Sequence, residues 1–485
     1  MPLQTFPIEI LREIMVRTVV ERYSFSPLPI CLVSRELCGV AFSTPELWQN
    51  LSIDPKFHQI DHQLLVSQDF LEFIARWYGR LGNGNGFALR FKPTICRHTP
   101  FEKDQGLVPF DQQKIALLFQ LFGRARHLEI HHDVFFELYN LPYSDDSVGR
   151  WSLPKLESLN IVRSESRYFE FQLQQILAFS DTPALRKISL NTLGLDGTRL
   201  LDIFPPLASR SYSTKWDRLT HIRAKFTITR FQDWKAIISD CHSMEQAILI
   251  LELREPDGLP SPINTSVVTH MNLQELDLTI SGSRHVNRQA SSLFHRVHLP
   301  ALETFQLHAA HLIFDGFISL ITAAPSLKRL RLASLFPTSL PESSNVEEIG
   351  FDLLRFPGIT PVQLADHAPH LRHIMIDIPY TARFKDSLRT YIKSLRESCW
   401  LEGSWKDGPP RFEFYWSSPS DCRMKPMVAD LYRYLLGSGN GLQIAVGLRK
   451  WDEAMRTESI LGAQGPYWDE WDDIGVTFRA AHAYL

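Results

Sequence analysis

The sequence predicts a mixed α/β chain: a small helical module at the N-terminus, then a curved array of short parallel strands with helices on its outer side. Three observations carry that expectation. A six-residue apolar pattern returns nine times between residues 156 and 376. Helix-compatible segments and proline-marked turns separate its copies. The first fifty residues instead show the spacing of three short helices.

The pattern is an apolar residue, two variable residues, an apolar residue, one variable residue and a further apolar residue. It reads LESLNI (156–161), LRKISL (185–190), LTHIRA (219–224), MEQAIL (244–249) and LQELDL (273–278). It continues as LETFQL (302–307), LKRLRL (327–332), VEEIGF (346–351) and LRHIMI (371–376). Successive copies begin 19 to 34 residues apart, with a mean step of about 27. The last two apolar positions lie two residues apart, which places them on one face of a strand. That face is expected to point inward, where stacked neighbours close a continuous core that no single copy could bury. Leu276, Leu278, Leu330 and Leu332 are therefore expected in the core.

Between the strands, FEFQLQQILAFS (169–180), FQDWKAIISDC (231–241) and FDGFISLITAA (314–324) carry apolar residues near helical spacing. They are expected to cover the convex side. Thr182-Pro183, Leu299-Pro300, Ala324-Pro325 and Ala368-Pro369 then mark the return to a strand, because proline cannot continue a helix and favours extended geometry before it. ARHLEI (125–130) reads as a degenerate earlier copy, FALRF (87–91) as a cap strand and RFEFYW (411–416) as a final strand. A doubly wound parallel sheet would give similar segments, but no glycine-rich phosphate loop follows an early strand.

These repeats resemble the leucine-rich-repeat family, in the irregular form found behind F-boxes, over about residues 150–380. The expected division is 1–51 for the helical module and 52–124 for a linker and N-terminal cap. Residues 125–418 would be the solenoid and 419–485 a C-terminal cap or tail.

In the N-terminal module, Pro7 suits the first position of a helix and Glu9 its positive end. Ile8, Leu11, Met15 and Val19 recur at three- and four-residue steps, and Ile10 and Ile14 widen the stripe. A second helix is expected over 28–42. A third, over 43–51, has Ser43 or Thr44 as cap, Pro45 as first residue, and Leu47, Trp48 and Leu51 as its apolar side. So few residues bury a limited core, so the wide stripe must find either a partner or the rest of the chain. Periodicity alone leaves both open.

The motifs Phe6-Pro7-Ile8-Glu9-Ile10-Leu11, Leu32-Val33-Ser34-Arg35 and Ser43-Thr44-Pro45-Glu46-Leu47-Trp48 resemble the F-box in sequence and spacing. Phe6 replaces the family's usual leucine, and Leu37 stands where a tryptophan is usual. The resemblance implies a substrate receptor of a cullin-RING ubiquitin ligase. Phe6, Pro7, Ile10, Leu11, Ile14, Leu32, Val33, Leu47 and Trp48 would bind a Skp-type adaptor, itself held on the cullin scaffold, while the repeats hold a protein target. A repeat scaffold without a ligase role is the alternative. Neither needs catalysis or a cofactor.

Composition fits a soluble chain. Apolar residues at 44% argue against large-scale disorder, and a net charge of −3 gives no global attraction to nucleic acid or an anionic membrane. No apolar run approaches the roughly eighteen residues that span a bilayer. The start lacks a signal-peptide pattern, so a cytoplasmic or nuclear location is expected, without membrane or nucleic-acid partners. Cys31, Cys38, Cys96, Cys241, Cys399 and Cys422 form no C-x-x-C pair and are expected to be reduced. Cys31 and Cys38, seven apart, would lie two turns apart on one helix face.

Constellations that could carry chemistry are weak. His131, His132 and Asp133 are adjacent in an extended segment, where successive side chains point apart; His367, His370 and His373 are interrupted by Pro369. GNGNG (82–86) and GSGNG (437–441) lack the lysine and the strand–helix context of a phosphate loop. WDEWDD (468–473) reads as a solvated acidic-aromatic edge. No metal site is expected.

Residues between the inward positions should face the concave side. They include Lys187, Ser189, His221, Arg223, Lys225, Glu275, Asp277, Thr304, Gln306, His308, Arg329, Arg331, Glu348 and Asp352. Charge changes sign along this series, which suits a protein partner better than nucleic acid. Lys187, His221, Arg223, Lys225, Arg329 and Arg331 are the candidate target contacts. Arg329 and Arg331 are expected beside Glu348 and Asp352, and the trio His221, Arg223 and Lys225 away from any acid before Glu275.

Overall fold

The computed structural model describes residues 7–20, 27–53, 67–81, 87–91, 112–131, 153–162, 182–196, 216–228, 231–253, 267–282, 294–309, 321–334, 368–379, 411–418 and 444–450. The chain forms two compact units, Met1–Gly194 and Leu195–Leu485. Both are mixed α/β with parallel strands.

The first unit opens with helices α1 (Ile8–Val20), α2 (Leu28–Cys31) and α3 (Arg35–Phe42) and a single tight turn of helix at Pro45–Trp48. The segment expected as one helix over 28–42 is two. Ser34 adopts extended geometry and its hydroxyl accepts from the Leu37 backbone N–H at 3.1 Å. A serine that caps a helix start ends the preceding one, and Leu32-Val33 is left in the turn between. Strands β1 (Asn50–Ile53), β2 (Phe87–Phe91), β3 (Ala125–His131), β4 (Ser158–Val162) and β5 (Lys187–Asp196) pair in parallel, in chain order. Helices α4 (Gln68–Gly79) and α5 (Gln112–Phe122) intervene.

The second unit pairs β6 (His221–Ile228), β7 (Gln246–Leu253), β9 (Glu275–Gly282), β11 (Thr304–Ala309), β12 (Arg329–Ser334), β13 (His373–Pro379), β14 (Arg411–Ser418) and β15 (Ile444–Lys450), again parallel and in chain order. A separate two-stranded parallel pair joins β8 (Val268–Thr269) to β10 (Val297–His298). Helix α6 (Phe231–Asp240) buries Trp234, Ile237 and Ile238. Within each unit strand order follows chain order, without the reversal a doubly wound sheet contains. The expected helix over 169–180 and most of that over 314–324 lie outside the described residues.

One local device recurs at the start of the strands. In Leu153-Pro154-Lys155-Leu156, Thr182-Pro183-Ala184-Leu185, Leu299-Pro300-Ala301-Leu302, Ala324-Pro325-Ser326-Leu327 and Ala368-Pro369-His370-Leu371, the fourth N–H donates to the first carbonyl at 3.1 Å. Proline at the second position presets φ for such a turn. The turn buries the first apolar residue of the motif: Leu156, Leu302, Leu327 and Leu371 are at most 1% exposed. Two residues on, the chain enters the sheet. The Glu245 carbonyl accepts from both Gln274 N–H and Glu275 N–H, and the Glu303 carbonyl from both Lys328 N–H and Arg329 N–H.

The inward face is apolar as expected. Leu276, Leu278, Leu330, Phe305, Leu249, Leu159, Ile161, Leu128 and Ile130 are all buried; the side chain of Leu332 lies outside the described residues. β12 pairs directly with β13, Leu330 opposite Ile374, and the Lys328 carbonyl accepts from Arg372 and His373. VEEIGF (346–351), expected as a further repeat, lies outside the described residues. β1, below the expected cap, and β15, in the expected tail, lengthen the two arrays.

Candidate functional site

Two surfaces hold the residues that the sequence singled out. On the N-terminal helices, Leu11, Met15, Leu37, Val40, Ala41, Leu47 and Trp48 form a buried core. Trp48 sits at its base: its indole N–H donates to the Ala41 carbonyl at 2.8 Å, and its ring meets Trp77 of α4 at 4.8 Å, edge to face. The Arg80 guanidinium lies over both the Phe42 and Trp48 rings, at 4.5 and 4.2 Å. Arg12 pairs with Glu46, tying α1 to the turn before β1.

With those side chains inside, the stripe separates into two sets. Leu11, Leu47 and Trp48 are core and offer no surface. Ile8, Ile10, Ile14, Leu32 and Val33 are exposed, Leu32 to 87% and Val33 to 71%. Pro7 is exposed and its carbonyl starts α1, accepting from Ile10 and Leu11 N–H. Phe6 lies outside the described residues. The break at Ser34 produces the exposed Leu32-Val33 pair, which a continuous helix would have carried on its side.

The second surface is the sheet face opposite the apolar core. In the second unit, register aligns Arg223, Ile248, Asp277, Gln306, Arg331, Met375 and Glu413 in one row across seven strands. Gln306 donates from Nε2 to Asp277 Oδ2 at 3.2 Å. Gln306 is 3% and Arg331 2% exposed, whereas Arg329 on the same strand and face is exposed. Burial pushes the Asp277 carboxyl up to about 7, against the pull of Arg331 and Arg223. Burial likewise brings Arg223 down to about 10, against the pull of Asp277.

This row revises the expected basic patches. Arg223 is half-buried and electrostatically tied to Asp277, two strands away, so it does not stand apart from acids. His221 is half-buried, and its Nδ1 is 2.8 Å from the Thr220 hydroxyl; the side chain of Lys225 lies outside the described residues. Arg331 neighbours Gln306 and Met375 in register. Glu348 and Asp352 lie outside the described residues, and the strand beside Arg331 is β13. Lys187, in the first unit, is exposed. That unit has its own row, Ser52, Arg90, Glu129, Asn160 and Ser189, in which Asn160 donates from Nδ2 to Glu129 Oε2 at 3.2 Å.

His270 is a structural residue the sequence did not reveal. It occupies the first turn position, where other repeats place Leu299, Ala324 or Ala368. Its Nδ1 accepts from the Leu273 N–H at 3.1 Å, and Nε2 faces the Cys241 carbonyl at 2.8 Å. The side chain thus makes the turn bond that a backbone carbonyl makes elsewhere. A polar residue at an apolar motif position was the available signal.

Among the described residues, no three His, Cys, Asp or Glu side chains come together as metal ligands, and no helix is long and apolar enough to cross a membrane. His131 and His373 fall in strands and His370 in a turn; His132, Asp133 and His367 lie outside the described residues. No family model and no curated protein sequence matches the chain.

Proposed function

We propose that this chain is a non-catalytic substrate receptor of an SCF-type cullin-RING ubiquitin ligase. The N-terminal helices act as an F-box on a Skp-type adaptor, and the parallel strands are rungs of a leucine-rich-repeat solenoid that holds a protein target. The carrying observation is the exposed apolar set Ile10, Ile14, Leu32 and Val33 on helices whose own core is already filled. An apolar surface left over after the core has closed needs a partner, and these residues fall within the segments that resemble the F-box.

The in-order parallel strands support the solenoid reading, since each rung buries its apolar face only against its neighbours. In the second unit a target would meet the face opposite the apolar core at the exposed Arg329, with Arg223, Gln306 and Arg331 forming the floor. Lys187 offers an exposed charge on the first unit by itself. The test is affinity purification of the full chain with mass spectrometry. Adaptor and cullin peptides are the expected result. Their absence, with other partners recovered, would leave a repeat scaffold outside the ubiquitin system.

A further inference from the structure

Strands of the second unit are entered through two residues that precede the first inward side chain, and backbone bonds link these entries along one edge of the sheet. The Glu245 carbonyl accepts from Gln274 and Glu275, Gln274 from Glu303 and Thr304, and Glu303 from Lys328 and Arg329. Lys328 then accepts from Arg372 and His373, and Arg372 from Arg411; all these bonds measure between 2.8 and 3.1 Å. Charge along the edge is sorted. The entries of β7, β9 and β11 bring Glu245, Glu275 and Glu303, and no base. Those of β12, β13 and β14 bring Lys328, Arg329, Arg372, His373 and Arg411, and no acid among the described residues. Glu245, Glu303, Arg329, Arg372 and Arg411 are exposed, and the other three are half-buried. The halves meet at one ion pair, Lys328 Nζ to Glu303 Oε1 at 2.6 Å.

We propose that this edge is the interface of a two-fold dimer of the chain. Neighbouring strands stand about 4.8 Å apart, so the centres of the two halves, at β9 and β13, are separated by about 14 Å. That exceeds the Debye length of about 8 Å in physiological salt, so beyond the boundary pair the halves do not neutralise each other. A partner must therefore present the same charges in reverse order over about 24 Å, the span of six strands. A second copy, turned about a two-fold axis between β11 and β12, does so by symmetry. β7 then faces β14 of the second copy, β9 faces β13, and β11 faces β12. Glu245 comes to the partner's Arg411 and Glu275 to the partner's Arg372, and each contact occurs twice, as a self-complementary interface requires. Exposed charges orient an encounter more than they hold a complex, so the dimer is weak and sensitive to salt. Its formation needs neither an adaptor nor a target, so it stands apart from the ligase reading.

The experiment is sedimentation equilibrium of the purified full chain, loaded at concentrations up to about 100 μM. At about 0.05 M salt the weight-average mass should rise with concentration toward twice that of one chain, and at about 0.5 M salt it should return to the monomer. Two charge reversals test the pairing: Glu245→Arg/Glu275→Arg on the acidic half and Arg372→Glu/Arg411→Glu on the basic half. Each alone should weaken self-association about tenfold or more, because like charges then face each other. Mixing the two variants should restore the dimer, since reversed acid meets reversed base. Circular dichroism of both variants should match the parent, and recovery on mixing shows independently that both are folded. A monomer under all conditions would overturn the proposal. So would a dimer that salt and both variants leave unchanged, or a loss that mixing does not restore.

Discussion

The indole N–H of Trp77 donates to the main-chain carbonyl of Trp48 at 2.7 Å while the two rings meet edge to face at 4.8 Å. Trp77 belongs to α4 and Trp48 to the last turn before β1, so the N-terminal helices and the first strands share one core. Trp48→Ala should cost about 3–5 kcal/mol, as large aromatic truncations in a core do. Trp77→Phe, which keeps most of the apolar area, should cost about 1–3 kcal/mol for the orphaned carbonyl. Urea unfolding followed by far-ultraviolet circular dichroism reads both. Deleting residues 1–51 removes Trp48 and the first two residues of β1, so point substitutions on the surface test docking more cleanly than truncation.

His270 makes stability depend on pH. Burial, first, and the neighbouring His242 lower its pKa, against the Cys241 carbonyl, which favours the charged ring. The folded state therefore resists a proton that the unfolded chain accepts below about 6.5. Its contribution is complete above that pH and declines as pH falls through it. Denaturant midpoints measured from pH 7.5 to 5.0 should drop more steeply in the parent than in His270→Ala. Equal slopes would show that the ring does not bind its proton differently on folding.

Asp277 acts with the opposite sign. Its pKa is raised to about 7 when folded, chiefly by burial, so the stability it contributes is full below the unfolded carboxylate range and lost as pH rises through about 7. Asp277→Asn should remove this decline, which runs from about pH 4 to about pH 7, whatever its effect on absolute stability. A parallel decline in both proteins would place the titrating group elsewhere.

Arg329 and Arg331 separate surface from core on one strand. Arg331→Met should shift stability in a pH-dependent way, because Arg331 is buried and its charge favours the Asp277 carboxylate; with it removed, the Asp277 pKa should rise further. Arg329→Glu, in solvent, should leave the melting temperature unchanged and lower the association rate of an acidic target, most at low salt. Arg223→Glu belongs with the first behaviour, since that side chain is half-buried and its charge favours the Asp277 carboxylate two strands away.

The inward face was legible because period-two apolar positions recur at a repeat-length step, and burial of Leu159, Leu278 and Leu330 follows from that alone. β15 was missed because Gly447 interrupts its apolar run. At the candidate sites, the sequence supplied the residues but not their division. Nothing in the periodicity says that Leu11 and Trp48 turn inward while Leu32 stays out; the Ser34 cap decides that. The row from Arg223 to Arg331 depends on register across strands, which no single repeat encodes.

As a receptor of the proposed kind, the chain docks a Skp-type adaptor through Ile10, Ile14, Leu32 and Val33. Isothermal titration of a purified adaptor into the full chain, compared with Leu32→Glu/Val33→Glu, tests it most directly. Two apolar anchors worth about 2 kcal/mol each predict a loss of affinity of about a thousandfold. The unfolding midpoint should be unaltered, since both side chains already lie in solvent. Equal affinity of parent and variant, or no binding by either, would show that these residues do not dock such an adaptor.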